Sequence, residues 1–131
     1  MPGRTPWNSG MKRIDANIIL RYLLDDHEEL SSKSAEIIDH EQVHASVEVI
    51  CEVVYVLGGV YKVNREQLSG LLLSFLDLQN ISADDLDVLK VALPAFAERK
   101  IDFVDAILYS HHIVRGDQIV TFDKRLAKMM E

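Results

Sequence analysis

Short apolar stretches of strand length alternate with longer helical stretches along 131 residues, and this order predicts an α/β fold. Two further observations support it. The strand candidates are separated by helices rather than by tight turns, which calls for parallel pairing with right-handed crossovers. Helix-capping residues stand before most of the helical stretches. The expected architecture is one three-layer α/β/α domain, a short parallel sheet flanked by helices.

The elements follow in order. Met11 to Ile14 reads as a first strand that ends in Asp15-Ala16-Asn17 and runs into an apolar helix from Ile18 to Leu24. After the polar break Asp25-Asp26-His27-Glu28-Glu29, a helix from Leu30 to Asp39 has apolar or small residues at Leu30, Ser34, Ile37 and Ile38, a helical spacing. Val43-His44-Ala45 is a strand. Ser46 caps an apolar helix from Val47 to about Leu57 that Gly58-Gly59 closes. Asn64 starts the helix carrying Leu68, Leu71, Leu72, Phe75 and Leu76. Gln79 to Ile81 is a strand candidate, and Ser82 then caps a helix to about Phe96, with Pro94 tolerated only near its end. Asp102 opens a helix to about Val114 that Gly116 stops. Gln118 to Thr121 is the last strand, and Lys124 to Met130 a closing helix.

Composition narrows the function classes. A hydrophobic content of 48% with 27% charged residues is that of a globular chain, so disorder is not expected. No apolar run reaches the ~20 residues that span a bilayer, so no membrane association is expected. Cys51 is the lone cysteine, which excludes an internal disulfide and fits a reducing cytoplasm. A net charge of −7 argues against a basic face that holds nucleic acid by counterion release alone, but not against a metallonuclease. Residues 1–10 have no periodicity and hold two of the three prolines. They read as a vector-derived extension, or alternatively a native flexible arm, ahead of a domain spanning 11–131.

Four carboxylates stand singly in hydrophobic surroundings: Asp15, Glu52, Asp105 and Asp123. A carboxylate removed from water without compensation costs several kcal/mol, so a cluster of them implies a cation. Glu52 is the sharpest of these, because Val47, Val49, Ile50, Cys51, Val53, Val54, Val56 and Leu57 leave its helix almost no polar face. Glu48, one turn earlier on the same side, reads as a solvated first-turn acid or, alternatively, a second ligand. Asp15 follows a strand and precedes a helix, where it could cap; Asn17 offers an amide to orient it. Asp102 and Asp105 share a helix face, and either could serve the helix start instead. Asp123 lies beyond the last strand, at the carboxyl edge where open parallel sheets bind ligands. His40, His44 and the pair His111-His112 lack metal-ligand spacing. Cys51 reads as core, and Leu71, Leu72, Leu73 and Phe75 as core or oligomer interface.

The segments Asp15-Ala16-Asn17-Ile18-Ile19-Leu20-Arg21-Tyr22-Leu23-Leu24-Asp25, Glu52-Val53-Val54-Tyr55-Val56-Leu57, Asp102-Phe103-Val104-Asp105-Ala106-Ile107-Leu108 and Thr121-Phe122-Asp123-Lys124-Arg125-Leu126 resemble, in order and spacing, the motifs of PIN-domain proteins. In particular, they look like those of the toxin subunits of VapBC-type toxin–antitoxin pairs. The resemblance covers essentially Met11 to Glu131. It implies a PIN-like sheet whose carboxyl edge gathers Asp15, Glu52, Asp105 and Asp123 around Mg²⁺ or Mn²⁺. Asn17 and Thr121 would be supports and Asp102 an accessory ligand. It also implies hydrolysis of RNA to 3′-hydroxyl and 5′-phosphate ends, a cognate antitoxin and a homodimer.

Two rivals remain. An aspartyl-phosphate phosphatase wants a second acid two residues after Asp15, where Asn17 stands, and a phospho-receiver wants a paired acid near its first strand and a lysine late in the sheet, neither of which is evident. The other rival is a non-catalytic RNA-binding or scaffold protein on the same fold.

Overall fold

The computed structural model describes residues 10–131; the extension expected over residues 1–10 thus lies outside the described residues except for Gly10. The described residues form three strands, β1 (Lys12–Arg13), β2 (Val43–Ala45) and β3 (Ile81–Ala83). Seven helices accompany them: α1 (Ala16–Leu24), α2 (Glu28–His40), α3 (Val47–Gly59), α4 (Arg65–Leu76), α5 (Leu86–Arg99), α6 (Phe103–Arg115) and α7 (Lys124–Met129). The strands lie in the order β1-β2-β3 and both pairings are parallel, so each connection carries helices, as the expected α/β/α fold requires.

Register divides the sheet into two faces. Val43 and Ala45 on β2 pair with Ile81 and Ala83 on β3, and their side chains join the core or pack against it. Arg13, His44 and Ser82 form the alternate row. There His44 Nδ1 is 2.8 Å from Ser82 Oγ and its Nε2 is 3.0 Å from Asp84. Each helix packs against neighbours through side chains removed from water: Ile19 and Leu20 on α1, Ile50, Val53 and Leu57 on α3, Leu72 and Phe75 on α4, Leu89 and Leu93 on α5. This burial, rather than helix propensity, stabilises the individual helices.

Caps set the helix starts. Asp15, Ser46, Asn64 and Asp123 accept from backbone N–H groups three residues on. His27 does the same through Nδ1 for Leu30, so the polar break Asp25 to Glu29 begins α2 earlier than its apolar pattern indicates. Gly58 and Gly59 belong to the last turn of α3, which Val60 ends.

Besides the earlier starts of α1 and α2, three further features differ from expectation. The third strand is Ile81–Ala83 rather than Gln79 to Ile81, so Ser82 lies within a strand and does not cap a helix; Asp85, in the left-handed region at φ 52°, precedes α5 instead. Helix α5 continues through Pro94 to Arg99, because Leu93, Ala95 and Phe96 on either side of the proline are buried. The segment Gln118 to Thr121 is not a strand. Its side chains do alternate, with Ile119 and Thr121 half-buried and Val120 and Phe122 fully exposed. Alternation alone makes no ladder, which needs a hydrogen-bonded neighbour.

Candidate functional site

The acids of the α6 start and those of the flanking loops meet at one place. Asp102, Asp105 and Asp123 line a pocket of about 200 Å³ together with Lys100, Ile101, Arg125 and Leu126. Two helix starts build it. Phe103 and Ala106, buried on the inner side of α6, set the helix so that Asp102 and Asp105 share the other side, three residues apart. Leu126, 2% exposed, anchors α7, whose cap is Asp123. Arg125 donates to the carbonyls of Arg99 and Lys100, fastening the start of α7 to the turn between α5 and α6.

The hydrogen bonds separate caps from free acids. Asp123 Oδ1 accepts from Leu126 N at 2.9 Å, and the Thr121 hydroxyl accepts from Asp123 N at 3.0 Å. Asp102 holds the cap position of α6 but makes no side-chain cap bond. Asp105, at the third helical residue, forms no side-chain hydrogen bond among the described residues. Burial raises the Asp105 carboxyl above the ordinary range, and the charges of Asp102 and Asp123 raise it further. Neither Lys100 nor Arg125 forms an ion pair with these acids among the described residues. The pocket therefore sets three hard-oxygen acids beside two cations that form no ion pair with them among the described residues.

Asp15 and Glu52 are not among the residues that line this pocket. Asp15 is exposed and caps α1 through Oδ1, which accepts from Ile18 N at 3.1 Å. Asn17 is exposed and makes no side-chain bond to Asp15, so it does not orient that acid. Glu52 is exposed as well, which corrects the expectation that its helix leaves it nowhere to be solvated. The reason is geometric. Glu48, Glu52, Tyr55 and Gly59 recur at helical spacing and form one open stripe on α3, which the valines around them conceal from a count of apolar residues.

Lys100 and Arg125 escaped the reading of the sequence. Arg99-Lys100 looks like an ordinary basic helix end, and only the left-handed conformation of Lys100, at φ 53°, turns the chain sharply enough to put it beside Asp102. The donor chemistry of Asp102, Asp105 and Asp123 fits a hard divalent cation of the Mg²⁺ or Mn²⁺ kind. Their spacing is looser, since no three His, Cys, Asp or Glu side chains among the described residues are close enough together to hold a metal.

No helix among the described residues is long and apolar enough to cross a membrane. No curated protein and no solved structure gives a significant match to the chain. The family profile described as the PIN domain matches residues 13–131, nearly the whole chain and all the elements that build the acidic pocket. The chain therefore belongs to the PIN-domain family, whose members are generally nucleases.

Proposed function

We propose that this protein is a metal-dependent endoribonuclease acting as the toxin of a cytoplasmic toxin–antitoxin pair. The observation that carries the nuclease reading is Asp105, half-buried, without a hydrogen bond, and raised by burial and by the two acids that face it. Such an arrangement costs stability and is characteristic of functional sites. A bound divalent cation would supply charge for a phosphate and a more acidic water. Asp102, Asp105 and Asp123 would hold it from the pocket, with Asp15 and Glu52 as the family's remaining acids. Thr121 holds the Asp123 backbone, and Arg125 fixes the approach of α7. Asn17 stays an accessory by family position alone.

The test is cleavage of single-stranded RNA by the purified chain with Mn²⁺, compared with Asp15→Asn and Asp105→Asn. Loss of cleavage in both variants with unchanged melting cooperativity is expected. Full activity in either would remove that acid from the assignment, and full activity in both would sink the reading. The looser spacing of the acids favours a second reading, a non-catalytic RNA-binding or scaffold protein. Calorimetric titration with Mn²⁺ separates the two, because the nuclease reading requires binding that Asp105→Ala or Asp123→Ala weakens.

The toxin role, with a cognate antitoxin and a homodimer, rests on the VapC-like motifs. Expression of the chain alone should slow bacterial growth, and co-expression of its operon neighbour should relieve the effect. Normal growth on expression alone would point to a housekeeping nuclease.

A further inference from the structure

A second concavity, of about 640 Å³, adjoins the acidic pocket and shares Lys100 and Asp102 with it. It runs between the end of α3, the start of α4 and the turn from α5 to α6. Its floor is Gly58 and Gly59. Neither glycine has a positive φ, so neither is required by the backbone. A Cβ at Gly59 would meet nothing within 4 Å, and one at Gly58 would make only ordinary contact, at 3.8 Å, with Leu68. Two glycines in a helical turn are unfavourable, and here no packing demands them. Their effect is to leave the groove floor bare.

Tyr55 lies one turn earlier on the same side of α3, with 65% of its surface exposed, and forms one wall. Two cations complete the groove. Arg65 spends its guanidinium on the carbonyls of Phe96 and Ile101 and on the Phe96 ring, 4.1 Å away, and forms no ion pair among the described residues. Lys100 stands where the groove opens into the acidic pocket and forms no ion pair among the described residues. Glu66 and Asp102 line the same groove, so its charge is balanced, and Lys100, without an ion pair among the described residues, is the cation left to meet a phosphate.

We propose that this groove binds a nucleobase of the RNA substrate next to the cleaved bond, laid on the Gly58–Gly59 floor against Tyr55, with Lys100 taking the adjoining phosphate. A surface free of side chains, an aromatic wall and a nearby cation suit a stacked nucleotide, and stacking tolerates any base. Continuity with the acidic pocket sets the occupant as substrate rather than as a separate ligand. The proposal rests on the nuclease reading above, and its test is chosen to fail separately from it.

The probe is a ten-nucleotide single-stranded RNA carrying 2-aminopurine, titrated with the full chain in Ca²⁺ while fluorescence is followed. The wild type should quench the probe by stacking. Tyr55→Ala should remove most of the quenching, and Gly59→Leu, which fills the groove, should weaken binding on the order of tenfold. Gly59→Leu should melt no lower than the wild type, since leucine is the better helix former. Quenching and affinity unchanged in both variants would overturn the proposal. A dimer that Gly59→Leu dissociates while RNA affinity stays the same would place a second copy in the groove and also overturn it. Quenching without Mn²⁺-dependent cleavage would keep the groove and discard the nuclease reading. Cleavage with wild-type KM in both variants would do the reverse.

Discussion

A carboxylate at a helix start has an ordinary occupation, capping, and Asp102 and Asp105 do not perform it. Asp15 and Asp123 do, each through one oxygen, which leaves the other oxygen unused. The raised Asp105 carboxyl has a consequence for stability whose sign can be worked out. The native state binds this proton more tightly than the unfolded chain, whose carboxyl titrates near 3.8. Stability from this group is therefore present below that value and lost as pH rises through the raised folded value. Asp105→Asn, which removes the ionisation, should raise the melting temperature at pH 7. The gain should disappear in scans below about pH 4, where the wild-type acid is protonated. The same substitution should abolish the stabilisation that added Mn²⁺ gives the wild type. A lower melting temperature at pH 7 would show that Asp105 is compensated by a contact not described above.

Between elements, two arginines do the joining. Arg65 ties α4 to the end of α5 and the entry to α6 by two hydrogen bonds and a ring contact, in a half-buried position. Arg65→Ala leaves two carbonyls short of a donor and should cost about 2 kcal/mol, read as a lower midpoint in urea at unchanged slope. Arg125 joins exposed surfaces, so its loss should hardly move that midpoint. It does hold α7, and so Asp123, against the α5–α6 turn. Arg125→Ala should therefore lower kcat/KM for RNA by roughly 10–100-fold, the scale of a displaced catalytic group. A drop in stability as large as that of Arg65→Ala, with normal turnover, would reverse the two roles.

At the scale of the whole molecule, the sequence is most informative where side-chain pattern and burial agree. β2 is legible to the residue, because Val43 and Ala45 are apolar and buried while His44 is turned to the other face. Gln118 to Thr121 shows the limit of that legibility. Its alternation is real, yet a strand also needs a partner edge, which no local pattern encodes. The site divides in the same manner. Asp102, Asp105 and Asp123 come together because two helix starts face each other, whereas the exposure of Glu52 depends on which side of α3 its neighbours leave open. Charge closes the argument. In the groove proposed for RNA, Lys100 is the cation left without an ion pair among the described residues, while Arg65 is engaged by two carbonyls and a ring, within an acidic chain. Release of counterions from single strands lowers log affinity by ~0.7 per phosphate neutralised for each decade of salt. At fixed Mn²⁺, log(kcat/KM) against log[KCl] should thus fall with a slope no steeper than about −1.5, the value for two phosphates. A slope beyond about −3 would mean four or more phosphates bound, and a second, basic surface would then carry the substrate.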